Sequence, residues 1–88
     1  MIISIIIPCF NEEDTIHLYY TAMESVRTQM QEDFEYIFIN DGSSDNTLEV
    51  LRELSTATEN VSYLSFTRNF GKEAALYAGL KESTGEYV

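Results

Sequence analysis

Residues 1–14, MIISIIIPCFNEED, contain the pattern that decides the fold. The first seven are almost continuously apolar and rich in isoleucine, which is typical of a strand covered on both faces inside a parallel sheet. Pro8 is expected to end that strand. The polar residues 11–14 are predicted to offer side-chain oxygens and negative charge to the first turn of a helix. A strand that leads directly into a helix is the repeating unit of α/β proteins.

Outward from this stretch, the same alternation continues to the end of the chain. Apolar residues at spacings of three and four predict a helix over residues 14–30 whose buried stripe consists of Ile16, Tyr19, Tyr20, Met23, Val26 and Met30. Further strands are predicted at residues 35–40 and 61–66, with a helix between them that begins near Asp45 or Asn46. Small and apolar residues over 74–80 predict a third helix that Gly85 ends, and residues 86–88 resemble the entry to a fourth strand.

This alternation predicts an α/β fold, a doubly wound, Rossmann-like parallel sheet with helices on both faces. Such sheets bind ligands beyond the carboxyl ends of their strands. The segments that leave the strands there are residues 8–13, 40–45 and 67–72, which we call the first, second and third loops. The residues with unusual polar chemistry lie in these loops, so we expect the ligand site to be there.

Composition restricts the partners of the chain. Its 88 residues include 15 Asp and Glu against 5 Lys and Arg, a net charge of −10, which disfavours a nucleic-acid partner because phosphate backbones are bound through clustered cations. The single cysteine, Cys9, cannot form an internal disulfide, and no signal-peptide pattern is present, so a cytoplasmic location is expected. No apolar run approaches the roughly 20 residues that span a bilayer, so we predict no membrane span in this segment.

Three side chains in the loops are candidates for binding. Asp41 follows the second strand directly, where a carboxylate accepts hydrogen bonds from a ribose hydroxyl or a base N–H, and Gly42 allows close backbone approach. Asp45 is interpreted instead as the cap of the next helix. Arg68 and Lys72 lie at a strand-to-helix junction suited to phosphate, although a pair of solvated loop charges is the simpler alternative.

Several familiar sites are absent or weak. Neither Gly-x-Gly-x-x-Gly nor a P-loop follows the first strand. This excludes the common way of binding a dinucleotide and the binding of nucleotide phosphates by a glycine-rich loop. His17 and Cys9 are too few for a metal site or a catalytic dyad and are interpreted as a surface and a packed residue. Residues 41–45 also resemble a magnesium-binding motif, Asp-x-Ser-x-Ser. They differ from it at the last position, where Asp45 stands in place of serine. Phe10 is the aromatic residue placed to line a base or sugar pocket.

Together, three segments resemble the start of a family 2 glycosyltransferase with the inverting GT-A fold. They are residues 5–13 (IIIPCFNEE), 39–45 (INDGSSD) and 68–73 (RNFGKE). The last segment, continued through residues 74–80, is most similar to the polyprenyl-phosphate branch, the dolichol-phosphate mannosyltransferases and bacterial undecaprenyl-phosphate glucosyltransferases. The resemblance covers essentially the whole chain.

The resemblance implies a role for each candidate residue. Pro8, Phe10, Glu12 and Asp41 would form the nucleotide pocket, with Asp41 on the base or ribose. Arg68 and Lys72 would face the phosphates or the acceptor. The implied reaction moves a sugar, with inversion, from a UDP-sugar or GDP-mannose to a polyprenyl phosphate. Mg²⁺ or Mn²⁺ would stabilise the departing diphosphate.

One motif of the family is missing. Its metal-binding Asp-x-Asp follows the fourth strand and does not occur in these 88 residues. We therefore expect residues 1–88 to be the nucleotide-sugar-binding N-terminal portion of a glycosyltransferase domain, truncated before the fourth strand, without metal ligands or transferase activity of its own. The parent enzyme is expected at the cytoplasmic face of a membrane. The first strand should expose an unpaired edge through which the chain forms a homo-oligomer.

Two other function classes stay open from the residues alone. The chain would also suit a non-catalytic nucleotide- or metal-binding α/β module. An interaction protein that uses its acidic helices is the third reading, and it predicts that Asp41→Ala leaves all binding unchanged.

Overall fold

The computed structural model describes residues 2–82, in which strands and helices alternate. The elements are β1 (Ile2–Cys9), α1 (Ile16–Met30), β2 (Asp33–Asp41), α2 (Thr47–Ala57), β3 (Val61–Phe66) and α3 (Lys72–Glu82). The predicted end of the third helix at Gly85 and the predicted fourth strand at residues 86–88 lie outside the described residues. The predicted alternation of elements is therefore confirmed for residues 2–82.

The described sheet has the order β1-β2-β3, and both pairs are parallel. Cys9 lies opposite Asn40, and Asp41 lies opposite Phe66. The carboxyl ends of the strands therefore meet at one edge of the sheet. The three loops leave from that edge, as the topology predicts.

Helices cover both faces of the sheet. On one face, α1 and α2 pack Ile16, Leu51 and Leu54 onto the aromatic residues of β2. On the other face, α3 lies against β1 and β2, and its Ala75 packs with Ile37 and Ile39. The central strand is the most buried element, because every residue from Tyr36 to Asp41 is less than one tenth exposed. This confirms the Rossmann-like α/β fold class.

The predicted burial of the α1 stripe is partly wrong. Ile16 is buried, and Tyr20 and Met23 pack against the core, but Val26 and Met30 are 42% and 50% exposed. Tyr19 is also exposed on one side, although its ring meets that of Phe38 edge-on. A period of 3.6 identifies one side of a helix, whereas burial also requires a partner surface. Within residues 2–82 that surface ends near Met23.

Two predictions at the first loop are also wrong. Pro8 does not end β1, which continues to Cys9 with Pro8 in register with Ile39. Proline is tolerated there because β1 is an edge strand of the described sheet. The polar side chains of residues 11–14 do not cap α1. The amides of the N-cap residue Thr15 and of Ile16, the first residue of the helix, donate to the Glu12 main-chain carbonyl at 3.0 and 3.3 Å.

Two further predictions concern self-association through β1 and the absence of a membrane span. Among the described strands only β2 pairs with β1, so self-association through the other edge of β1 stays a prediction. None of the helices within residues 2–82 combines the length and apolar character needed to cross a membrane.

Candidate functional site: a cleft between three loops

The first loop is fastened to the second by hydrogen bonds from its backbone. Three consecutive amides, those of Asn11, Glu12 and Glu13, donate to Ser43 Oγ (2.9 Å), Thr47 Oγ1 (2.9 Å) and Asp45 Oδ2 (3.3 Å). In return, the backbone N–H of Ser44 donates to Asn11 Oδ1 at 2.8 Å. Asn11 adopts a positive φ of 56°, a conformation that asparagine tolerates better than most residues. The position of Phe10 and Glu12 therefore depends on the second loop.

The third loop is fastened to the second by Asp41. Asp41 Oδ1 accepts the backbone N–H of Phe70 at 2.8 Å, and Oδ2 accepts that of Gly71 at 3.0 Å. Gly42 lies directly beneath this loop with a φ of +71°, and a Cβ there would come within 2.2 Å of the Arg68 carbonyl carbon. The close approach predicted at Gly42 exists, but here it is to the third loop.

A cleft of about 370 Å³ opens between the three loops. It is lined by Pro8, Phe10, Glu12, Asp41, Asn69, Gly71 and Lys72. Five of these were candidates from the sequence, and they come from segments more than 25 residues apart in the chain. The volume lies at the lower end of the range typical of small-molecule sites. The structure thus brings the predicted nucleotide-binding residues and Lys72 to one place.

Arg68 occupies a different position from the other candidates. Its side chain is exposed, and its guanidinium carbon lies 4.5 Å from the centre of the Phe70 ring rather than in the lining of the cleft. Phe70 is itself 51% exposed, and Phe10 is 48% exposed. An aromatic ring with a stacked guanidinium thus projects from the third loop, and a second exposed ring projects from the first.

The cations of the third loop have no carboxylate partners in the described part of the chain. Arg27 and Arg52 pair with Glu24 and Glu49 on their own helices at 3.0 and 2.7 Å, whereas neither Arg68 nor Lys72 forms an ion pair within residues 2–82. In a chain of net charge −10, acidic partners are abundant. Within residues 2–82 the side chains of Arg68 and Lys72 are therefore free to pair with an anionic ligand at the third loop, where Glu12 and Asp41 also line the cleft.

The acidic residues of the loops are held by hydrogen bonds. Partial burial raises the pKa of Asp45, but hydrogen bonds from the hydroxyl and amide of Thr47 and from the Glu13 amide outweigh it, so the pKa lies below its usual value. Asp45 Oδ1 accepts the first amide of α2, that of Thr47, at 3.0 Å, so Asp45 caps the helix as predicted but from the residue before the N-cap position, which Asn46 occupies without a side-chain capping bond. Glu12 Oε2 accepts the Thr15 hydroxyl at 2.6 Å.

The two remaining candidates take the positions expected of them. Cys9, the last residue of β1, is buried at 3% exposure, and this burial, with a smaller contribution from the charge of Glu12, raises its pKa to about 12. Its thiol is therefore protonated and unreactive at neutral pH. His17 lies exposed on α1.

Sequence reasoning missed Asn69 and Gly71 as cleft residues. Gly71 has a φ of +99°, and the Asn69 side chain donates to the Asp41 carbonyl oxygen at 3.3 Å. The turn-forming sequence of residues 69–71 was the available signal. Its contacts with β2 depend on tertiary structure.

The described residues do not form a site for a divalent cation. Within residues 2–82, no group of three or more His, Cys, Asp or Glu side chains is arranged to hold a metal ion. The magnesium reading of residues 41–45 also lacks support, because the carboxylates of Asp41 and Asp45 accept hydrogen bonds from different loops.

Comparison with known proteins gives consistent matches. The family model for glycosyl transferase family 2 matches residues 4–88. The putative glycosyltransferase CsbB of Bacillus subtilis (strain 168) is 44% identical over 87 residues, which are 99% of this chain and 26% of that protein. The bactoprenol glucosyl transferase of Shigella phage SfX is 44% identical over 88 residues, 100% of this chain and 29% of that protein.

A third relative has the same relation to the chain. The prophage bactoprenol glucosyl transferase homolog of Escherichia coli (strain K12) is 43% identical over 88 residues, again 100% of this chain and 29% of that protein. The chain therefore spans between about a quarter and three tenths of the length of these relatives.

Proposed function

The chain belongs to glycosyl transferase family 2, and from that premise we propose that it forms the nucleotide-sugar-binding part of an enzyme that glycosylates a polyprenyl phosphate. Residues 1–88 would be the N-terminal portion of the glycosyltransferase domain. The donor would be a UDP-sugar or GDP-mannose, and the acceptor class is that named in the bactoprenol glucosyl transferases.

One observation carries this proposal: a carboxylate and a cation that has no ion-pair partner within residues 2–82 face the same cleft. Asp41 and Lys72 both line it, together with Phe10 and Glu12 from the opposite loop. A nucleoside diphosphate has neutral hydrogen-bond donors at its base and ribose and negative charge at its other end. Carboxylates suit the first of these and a lysine ammonium suits the second.

The residues of the chain would act by binding and orientation. Pro8 and Phe10 would contact the nucleoside, Glu12 and Asp41 would accept hydrogen bonds from it, and Lys72 would hold the phosphates. Arg68, outside the cleft, would be placed for the phosphate of the acceptor. That phosphate is already ionised at neutral pH, so its attack needs less help from a protein base than a hydroxyl would.

A divalent cation, Mg²⁺ or Mn²⁺, would stabilise the leaving diphosphate in the whole enzyme. Residues 2–82 do not fit such an ion on their own, since they contain no cluster of three acidic, His or Cys ligands. Within residues 2–82 the groups suited to phosphate are therefore the cations of the third loop.

The test compares two lysines of α3 by calorimetric titration. Lys72→Gln should weaken binding of UDP or GDP by about tenfold or more, as expected for one lost charge-assisted contact, while binding of uridine or guanosine stays unchanged. Lys81→Gln is the matched control, because Lys81 lies in the last turn over the ring of Tyr77. Equal diphosphate binding by the two variants, or no binding by the wild-type chain, would contradict the proposal.

A further inference from the structure

Asp41 has an unusual set of partners for a residue at a ligand edge. It ends the central strand, is only 4% exposed, and uses both carboxylate oxygens to accept consecutive backbone amides, those of Phe70 and Gly71. Its own carbonyl oxygen accepts the side chain of Asn69. One residue of the second loop therefore binds three successive residues of the third.

These partners lie between the two cations of the third loop. Arg68 precedes them, and Lys72 follows Gly71 as the first residue of α3. The Gly71 carbonyl also accepts the Ala75 amide at 3.2 Å, which links the fastened segment to the first turn of the helix. Fixing Phe70 and Gly71 thus fixes the backbone from which both cations project.

We infer that Asp41 is a positioning residue for the phosphate end of the ligand, acting through the backbone of the third loop. The inference rests on the proposed function and extends it, because a contact with the base or ribose alone would leave phosphate binding independent of Asp41. The two roles are compatible: an ionised carboxylate has about four acceptor positions, of which the two amides use two. Asp41 thereby links the nucleoside end of the cleft to the phosphate end.

Asp41→Asn tests this role with little change in size. An asparagine has one acceptor oxygen, and its NH₂ group would face one of the two amide donors, so at least one of the bonds to Phe70 and Gly71 is lost. Asp33→Asn is the matched control. It makes the same chemical change at the exposed opposite end of β2, away from the loops.

The discriminating ligand is inorganic pyrophosphate, which has no base or ribose. Calorimetric titration should show that Asp41→Asn weakens pyrophosphate binding at least about fivefold, the lower end of typical coupling between sites, and that Asp33→Asn does not. Unchanged pyrophosphate affinity in Asp41→Asn, with weakened uridine or guanosine binding, would overturn the positioning role and leave a nucleoside contact alone.

Amide hydrogen exchange gives a second measurement that needs no ligand. The Phe70 and Gly71 amides should lose protection in Asp41→Asn while those of β2 stay protected, which also shows that the variant is folded. Retained protection at Phe70 and Gly71 would overturn the inference. If the wild-type chain bound neither pyrophosphate nor nucleotides, the proposed function would fail, and the exchange data would still decide whether Asp41 holds the third loop.

Gly42→Ala provides an independent variant in case Asp41→Asn does not fold. A methyl group there would meet the backbone of Arg68 and Asn69 at 2.2 and 2.3 Å, so the second and third loops must move apart although the Asp41 side chain is intact. Pyrophosphate binding should weaken in this variant too. Binding equal to that of the wild-type chain would contradict the dependence on loop position.

Discussion

Gly79→Ala should destabilise the fold, although alanine is normally the better helix residue. Gly79 lies in α3 against β1, and a Cβ built on it would come 2.3 Å from Ile6 Cγ2, with the next nearest atoms of Ile6 at 3.3 and 3.4 Å. Ordinary carbon contacts begin near 3.5 Å, so helix and strand would have to separate by about 1 Å or Ile6 would have to change rotamer. The glycine therefore sets how closely α3 approaches the sheet.

The magnitude follows from two opposing terms. Replacing glycine by alanine inside a helix gains about 1 kcal/mol, whereas overpacking a well-filled contact costs about 1–3 kcal/mol. The net loss is about 1 kcal/mol, which in a domain of this size lowers Tm by about 4–8 °C. Cγ2 is attached directly to the Cβ of a β-branched side chain, so it has no flexible stem along which to move aside.

The assay is urea unfolding followed by circular dichroism, with Ile6→Leu as the second arm. Leucine keeps the volume but has no methyl on Cβ, so Gly79→Ala should be neutral or stabilising in that background. The two effects differ by about 1–2 kcal/mol, a coupling within the range of contacting residues. Stabilisation by Gly79→Ala in the wild-type background, or a coupling near zero, would refute the close-packing explanation.

Two further predictions concern titratable groups beside the loops. Because the pKa of Cys9 is raised from 9.0 to about 12, iodoacetamide at pH 8 should alkylate it roughly a thousandfold more slowly than an exposed cysteine. The contribution of its neutral thiol to the free energy of unfolding should be complete below pH 9 and should fall as the pH rises towards 12. Rapid alkylation of the folded chain would contradict this prediction. The pKa of Asp45 in the folded chain lies below 3.8, so its ionised form stabilises the fold. The difference in free energy of unfolding between the wild-type chain and Asp45→Asn should therefore be fully present above pH 3.8 and should vanish as the pH falls through the folded pKa. Urea unfolding of both proteins from pH 7 down to pH 2 measures this, and a difference that stays constant with pH would argue against it.

Much of the fold could be predicted from the sequence because the strands have a strong local signal. The third strand was placed at its observed bounds, residues 61–66, and the second within two residues of its observed ends. Strand–helix alternation then implies parallel pairing, which brings the three loops to one edge. These rules place Phe10, Asp41 and Lys72 at the same edge of the sheet, where the structure has them lining one cleft.

The rest depends on contacts between distant segments. Periodicity gave the side of α1 that faces inward, but the exposure of Met30 depends on where the partner surface stops. The hydrogen bond from the Phe70 amide to Asp41 joins residues that are 29 positions apart in the chain. Gly79 contacts Ile6, which lies near the opposite end of the chain. No local propensity encodes either contact, so sequence reasoning identified the candidate residues and left their partners undetermined.

The arrangement of the loops bears on how so acidic a chain would bind the proposed anionic ligand. The second loop follows the most buried strand, and the outer loops donate their backbone amides to its side chains. The carboxylates of Asp41 and Asp45 thereby accept backbone N–H groups of these loops, which stabilise their negative charge. Arg68 and Lys72 have no such compensation from carboxylates within residues 2–82. The net charge of −10 opposes the approach of an anion at long range, but salt screens that repulsion beyond about 8 Å, and the affinity at contact depends on the local cations.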